Sequence, residues 1–178
     1  MIHLNGAPGV GKSTIAERYV TDHRGVLNCD IDRLRCFVGG WANDFDGTGA
    51  IIRPVALAMI RAHLDGGRDV LLPQMLARES ELDRFRGLAV EAGHDYLHLV
   101  LQAPPGVAAD RFYDRPEDPL HTVIRGEIHA DGGRAVIDGL VDRLQSVGAA
   151  TGAHPVDAGS DVDATYQEVL AVVRGAGE

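Results

Sequence analysis

The sequence predicts an α/β fold in which a parallel sheet is covered by helices on both faces. Two observations carry that expectation. Strand-like and helix-like patterns alternate along the whole chain, which favours parallel strands joined by crossover helices. The first strand also runs directly into a glycine-rich turn and a helix, so its carboxyl end is built to receive a ligand. No internal repeat or low-complexity linker interrupts the 178 residues. Domains typically hold about 100–200 residues, so one domain spanning 1–178 is expected.

The elements follow in order. Ile2 to Asn5 is a short apolar run, and Ser13 to Asp22 then sets Ile15, Ala16, Tyr19 and Val20 at helical spacing. Val26 to Asp30 reads as a second strand. Asp69 to Pro73 reads as a third, introduced by the breaker pair Gly66-Gly67. Tyr96 to Leu101 is the strongest strand pattern, and Ala153 to Asp157 is a weak fifth. Helical patterns cover about 50–65, 79–92, 104–114, 131–149 and 161–174, the last with Ser160 as its N-cap. Gly39 to Gly49 and Arg115 to Gly126 fit neither period and read as long polar loops, which in a compact domain are usually functional.

Composition narrows the function. Hydrophobic residues make up 45% and charged residues 24%, ordinary for a globular chain. Seventeen basic against 26 acidic residues give a net charge of −9, which disfavours nonspecific capture of nucleic acid or anionic lipid. Cys29 and Cys36 lack metal-ligand spacing with histidines and read as reduced thiols. MIHLNG carries no signal-peptide pattern, and no apolar run approaches the roughly 20 residues of a membrane span. A cytoplasmic protein with no membrane role is expected.

Gly6-Ala7-Pro8-Gly9-Val10-Gly11-Lys12-Ser13, followed by Thr14, satisfies GxxxxGK[ST] between a strand and a helix, the context this phosphate-binding motif requires. Glycines let backbone N–H groups and the helix N-terminus face phosphate oxygens, and Ser13 can offer its hydroxyl to Mg²⁺. Lys12 is the only lysine beside sixteen arginines. A compact ammonium on a thin stem fits a ring of backbone amides, and a broad planar guanidinium fits it poorly.

After the second strand comes Asn28-Cys29-Asp30-Ile31-Asp32-Arg33-Leu34-Arg35. A carboxylate here lies near the phosphate loop of a parallel sheet. It can take a proton from an attacking hydroxyl or hold magnesium through water. Asp32 is the expected base, with Asp30 the alternative, and Arg35 three residues on would orient the acceptor. The competing reading makes Asp30 or Asp32 a helix cap and the arginines solvated.

With these residues in place, the sequence resembles the small P-loop kinases of the nucleoside monophosphate kinase-like group. That group includes polynucleotide kinase domains, chloramphenicol phosphotransferase, gluconate and shikimate kinases, and zeta toxins. MIHLNGAPGVGKST followed by VLLPQM is most similar to the tunicamycin-resistance ATP-binding proteins. The resemblance implies a three-layer P-loop kinase fold with a five-stranded parallel sheet of order 2-3-1-4-5, and Mg-ATP as donor. It also implies a carboxylate base after the second strand and a lid whose arginines close over the transferring group. Asp32 and Arg35 match its D-x-x-R, and Arg111 and Arg115 fall where lid arginines begin. In one departure, DVLLPQ ends the third strand without the acidic residue that many P-loop proteins place there for magnesium. Asp30, Asp32, or Ser13 with water and nucleotide would then serve the metal.

The remaining site expectations concern two segments. The lid spans about 111–127, where Arg111 and Arg115 would neutralise equatorial phosphoryl oxygens and Arg111 would also touch nucleotide. An ordinary surface loop pairing these arginines with Asp114, Glu117 and Asp118 is the competing reading. The segment at about 36–58 would cover the acceptor, with Trp41 among Asp44, Phe45 and Asp46. Arg53 and Gln74 are further acceptor candidates. His3, His63, His94, His98, His121, His129 and His154 form no catalytic cluster in the sequence. The expected activity is transfer of the γ-phosphoryl group of Mg-ATP to a hydroxyl of a small molecule, of antibiotic or nucleoside-like type. The alternatives are a sugar or nucleotide metabolic kinase, or an ATP-binding protein that sequesters or senses a ligand.

Overall fold

Five parallel strands form one sheet: β1 (Ile2–Asn5), β2 (Leu27–Asn28), β3 (Val70–Leu72), β4 (Leu97–Gln102) and β5 (His154–Asp157). Their order is 2-3-1-4-5, as the resemblance implied. The structure, a computed structural model, describes residues 1–177. Around the sheet lie α1 (Lys12–Asp22), α2 (Ile31–Arg35), α3 (Phe45–Asp65), α4 (Glu79–Glu91), α5 (Val107–Asp114), α6 (Pro119–Ala130), α7 (Arg134–Thr151) and α8 (Val162–Gly175).

Strand alternation divides the core. Ile2, Leu4 and Leu71 join one buried cluster with α1, α5, α7 and α8 through Ile15, Tyr19, Phe112, Leu144 and Tyr166. Met1, Val70 and Leu72 join a second with α2, α3 and α4 through Ile31, Ile60, Leu64 and Phe85. Successive strand side chains point to opposite faces, so a three-residue strand such as β3 supplies both clusters. Each fully buried aliphatic side chain contributes about 1.5–3 kcal/mol.

Four elements differ from the sequence expectation. β2 is cut to two residues because Asp30 already caps α2, its side chain accepting from the N–H groups of Asp32 and Arg33. α3 begins at Phe45 rather than 50, because Asp44 caps it by accepting from Gly47 N–H at 2.9 Å. Of the segment Arg115 to Gly126, only residues 115–118 are loop and the rest is helix. Asp118 accepts from His121 N–H at 2.8 Å and Pro119 occupies the first turn, starting α6. Proline is suited to that position because its missing N–H is one that a helix start leaves unbonded. The cap of α8 is Asp161, which accepts from Ala164 N–H at 2.8 Å, and not Ser160.

Candidate active site

The carboxyl ends of β1 and β3, together with α2, α3, α5 and α6, enclose a cleft of about 1180 Å³. Eight basic and eight acidic side chains line it, so the chain's net charge of −9 resides elsewhere. Such a cleft accepts an anion without the repulsion that the overall charge would impose.

The 6–11 loop is anchored by Ala7 and Val10, both buried. Gly9 sits at φ +89° with Ala108 pressed against it: a Cβ there would lie 1.9 Å from the Ala108 carbonyl oxygen. Only glycine permits both the left-handed backbone and that approach to α5. Gly11, at φ +95°, turns the chain into α1, so the N-terminal N–H groups of that helix open towards the cleft. Pro8, Gly9, Val10, Gly11, Lys12, Ser13 and Thr14 all line it. Lys12 Nζ donates to the carbonyls of Gly6 at 2.8 Å and Ala7 at 3.0 Å. Burial pulls its ammonium down to about 8, against the raising effect of Asp32 and Asp30.

Asp30 joins two elements. One oxygen caps α2, accepting from Asp32 N–H at 3.1 Å and Arg33 N–H at 3.2 Å. The other accepts from Ser13 Oγ at 3.1 Å. The cap reading thus holds for Asp30, and the same carboxylate also bonds Ser13 at the start of α1. Among the described residues no group of three or more His, Cys, Asp or Glu could hold a metal ion. The Ser13 hydroxyl and the Asp30 carboxylate nevertheless suit Mg²⁺, which takes oxygen donors and usually keeps several waters beside one or two carboxylates and substrate phosphates.

Asp32 faces the same cleft with a third of its side chain open. Burial raises its carboxyl above the usual range, helped by Asp30 and opposed by Arg35, Lys12 and the Gln74 amide. Arg35 is itself buried. Its guanidinium lies 3.9 Å from the Phe45 ring centroid and donates to the Phe45 carbonyl. A side chain at Gly49 would come within 2.8 Å of it. Thus α3 holds Arg35 in place, and Arg35 Nε stands 3.2 Å from Asp32 Oδ1.

The other expected residues divide. Arg53 and Gln74 line the cleft, Arg53 paired with Glu81 at 3.3 Å. Trp41 does not line it: α3 starts early, so the cleft receives Phe45 and Asp46, and Trp41 stays half-buried in the preceding turn. Arg111 lines the cleft but is committed to the β5–α8 turn. It donates to the carbonyls of Ala158, Gly159 (3.0 Å) and Ser160 (2.6 Å), which differs from the mobile lid arginine expected. Arg115 makes one long contact, 3.4 Å to Asp118, and is half-exposed.

Sequence reasoning missed the support beneath the site. The parallel register sets His3 beside His98, and their rings stack at 4.9 Å and 6°. His3 Nε2 bonds the Gln74 carbonyl at 2.7 Å, so it carries the proton, and Nδ1 accepts from Tyr96 Oη–H at 2.7 Å. The Asn5 amide oxygen accepts from Gly6 N–H and Leu76 N–H, and its nitrogen donates to Leu76 O at 2.9 Å and His98 Nε2 at 3.2 Å. Asn5 thus locks the start of the phosphate loop to the segment after β3. Polar residues at alternate positions of an otherwise apolar strand were the available signal.

A profile of AAA domains matches residues 1–145. No curated protein sequence matches the chain. Among solved structures it is similar to the tunicamycin resistance protein of Deinococcus radiodurans, at 20% identity and TM-score 0.60 over 99% of this chain and 94% of that one. It is also similar to a gluconokinase from Sinorhizobium meliloti 1021, at 19% identity and TM-score 0.64 over 99% and 93% respectively. At these identities the likeness is one of fold, and that fold is the P-loop kinase fold expected from the motif and element order.

Proposed function

The chain belongs to this AAA-domain family, and from that premise we propose that it is an ATP-dependent phosphotransferase acting on a hydroxyl of a small molecule. The observation that carries the reading is the placement of Asp32. Its carboxylate shares one cleft with Lys12 and the phosphate loop, beside a buried arginine and with its proton affinity raised. A pure nucleotide binder needs the loop and Lys12 but gains nothing from such a carboxylate.

The proposed roles draw on the geometry above. The loop N–H groups and Lys12 hold the β- and γ-phosphates of ATP, and Ser13 with Asp30 serves Mg²⁺, which when bound neutralises phosphate charge. Asp32 accepts the proton of the acceptor hydroxyl as its oxygen bonds to the γ-phosphorus and the bond to the β-phosphate oxygen breaks, leaving ADP. Arg35 holds Asp32 and the acceptor in line. Arg115, held only by its long contact with Asp118, neutralises the transferring group. Arg111 fixes the β5–α8 turn and touches nucleotide from there. Arg53 and Gln74 belong to the acceptor side.

The acceptor class is supported by the two fold neighbours, one a tunicamycin resistance protein and the other a gluconokinase. An antibiotic, a nucleoside-like compound or a sugar fits a cleft of this size. No nucleic-acid partner is proposed, since the surface outside the cleft is acidic. A cytoplasmic setting, where ATP is abundant, accords with the reading. Among the described residues no helix is long and apolar enough to cross a membrane. The test is incubation with Mg-ATP and a panel of nucleosides, aminoglycosides, uridyl antibiotics and sugars, with mass spectrometry for gain of one phosphoryl group. Slow ATP hydrolysis with no phosphorylated product across the panel would favour a protein that binds ATP to sequester or sense a ligand.

A further inference from the structure

Among the described residues, α6 is the long helix whose apolar face the fold leaves open. Every other helix of eight or more residues buries at least three side chains, whereas α6, with 12 residues, buries only His121. Its helical period is nonetheless clear. Leu120, Ile124 and Ile128 stand four apart and form one row, and Thr122, Gly126 and His129 are exposed on the opposite side. The three apolar side chains of the row are half-buried and line the cleft. Leaving a row of aliphatic side chains open to water is unfavourable, and apolar surface rimmed by polar groups marks a binding groove.

The opposing wall is apolar as well. Met75 and Ala77, in the segment that follows β3, line the same cleft and are also half-buried. They pack on the buried cluster that Ile124 and Ile128 also touch, so the two walls rise from one floor. The segment is held in place. Asn5 bonds both backbone groups of Leu76, at 3.0 and 2.9 Å, and Arg143 of α7 donates to the Ala77 carbonyl at 3.2 Å. Arg78 and Arg143 beside the segment, and Glu127 and Asp131 along α6, are exposed and charge the rim.

We propose that this groove holds an apolar part of the phosphoryl acceptor, so that the substrate is an amphipathic alcohol with its hydroxyl at Asp32 and an alkyl or aryl group between Met75 and Ile124. The groove opens into the cleft that contains Asp32 and the phosphate loop, so its occupant is continuous with the reacting group. The cleft's 1180 Å³ exceeds the roughly 300–1,000 Å³ of a single-ligand pocket and leaves room for such a group beside ATP. A polyol in the groove would set its hydroxyls against five apolar side chains that cannot bond them. The row faces into the cleft, which favours a small molecule over a second copy of the chain. The fate of the hydroxyl rests on the phosphotransfer reading, and the apolar group rests on the groove alone.

The probes are 1-butanol, 1-pentanol, 1-hexanol and 1-heptanol, with sorbitol as the polyol that matches 1-hexanol in carbon number. Each is titrated in the presence of Mg²⁺ and a non-hydrolysable ATP analogue. The readout is the methyl resonance of Met75, which shares the chain with only Met1 and Met59 and is assigned by its loss in Met75→Leu. The alkanols are expected to shift it saturably, with affinity rising about fourfold per methylene, the transfer value of a buried CH₂, while sorbitol leaves it in place. Ile124→Asn should reduce that slope below about twofold per methylene. Affinity independent of chain length in the wild type, or a Met75 shift by sorbitol at equal affinity, overturns the inference without needing any variant to fold. A slope that survives in Ile124→Asn overturns it too. So does a dimer that dissociates in Ile124→Asn while Met75 stays blind to the alkanols, which would give the row to a second copy. Mass spectrometry of the same compounds and of sugars with Mg-ATP keeps the two readings apart. Phosphorylated sugars with Met75 blind to alkanols overturn the inference and leave phosphotransfer standing. A chain-length slope with no phosphorylated product supports the amphipathic ligand and removes the phosphotransfer reading.

Discussion

Ser13 Oγ donates a hydrogen bond to Asp30 Oδ2 across 3.1 Å, joining the first turn of α1 to the N-cap of α2. Asp30 therefore has a structural duty and a proposed metal duty, and two substitutions separate them. Asn caps a helix about as well as Asp, whereas Ala loses about 1 kcal/mol. Asp30→Asn is expected to keep the urea midpoint and raise the Mg²⁺ concentration needed for half-maximal activity about tenfold, because Mg²⁺ prefers an anionic oxygen donor. Asp30→Ala should show both defects. An unchanged Mg²⁺ requirement in Asp30→Asn would remove the carboxylate from the metal site.

Asp32→Asn should lower phosphotransfer by about 10²–10⁴, the usual worth of a positioned base, with ATP affinity nearly intact. Burial raises the Asp32 carboxyl, so the acid limb of kcat/KM should lie above the ordinary carboxylate range and activity should rise as that proton leaves. The linkage sign is the opposite for folding. A carboxyl whose folded value is raised favours the fold while protonated and withdraws that support as pH climbs through the folded value. The neutral amide should hence raise the melting temperature at pH 7 even as it lowers turnover. A variant that keeps full turnover would leave Asp30 as the base or Asp32 without a chemical role.

How legible the molecule was depended on range along the chain. β1, the loop and α1 were readable because the motif, its strand and its helix are contiguous, and β3 to β5 were bounded by local breakers. α6 was hidden by its own start signal, since Asp118-Pro119 reads equally as a turn; Leu120, Val123, Ile124 and Ile128 carried the helical period. Trp41 drew attention by residue type, but the Asp44 cap decided which side of α3 meets the cleft. The pairing of Arg35 with Phe45 and Gly49, and of His3 with Gln74, depends on sheet order and register. Those are properties of the assembled layers, which no window of sequence contains.

Lys12 supports a prediction about shape and one about pH. Its Nζ already reaches two loop carbonyls, at 2.8 and 3.0 Å, so the space around it matches an ammonium and not a guanidinium fork. Lys12→Arg should therefore weaken ATP binding about as much as Lys12→Ala, although it keeps the charge. Burial also lowers the ammonium to about 8. Above that pH the ligand must meet a neutral amine or re-protonate it, so affinity should fall about tenfold per pH unit. Calorimetric titrations with ATP at pH 7, 8, 9 and 9.5 would show the break. A flat profile would mean that the amine stays charged in the loop.

The stacked pair His3 and His98 should set the acid limit of stability. Burial lowers His3 to about 3, with His98 and Lys12 adding repulsion, and lowers His98 to about 4, with Arg86 adding to it. Both folded values lie below the unfolded 6.5, so the unfolded chain takes up protons first as pH drops. Stability is thus fully present above about 6.5 and is lost as pH falls, by about 1.4 kcal/mol per unit for each histidine, until the folded groups titrate. His98 Nε2 accepts from Asn5, so its proton is on Nδ1, facing Thr151 Oγ1. Gln offers one donor and one acceptor in its place. His98→Gln should therefore keep most of the neutral-pH stability and lose about half of the two-histidine slope between pH 6.5 and 4. Carboxylates titrate alike in both proteins, so the difference between their urea midpoints at pH 7, 6, 5 and 4.5 isolates His98. Parallel curves would show that His98 gains its proton while still folded, which the stacked neutral pair does not allow.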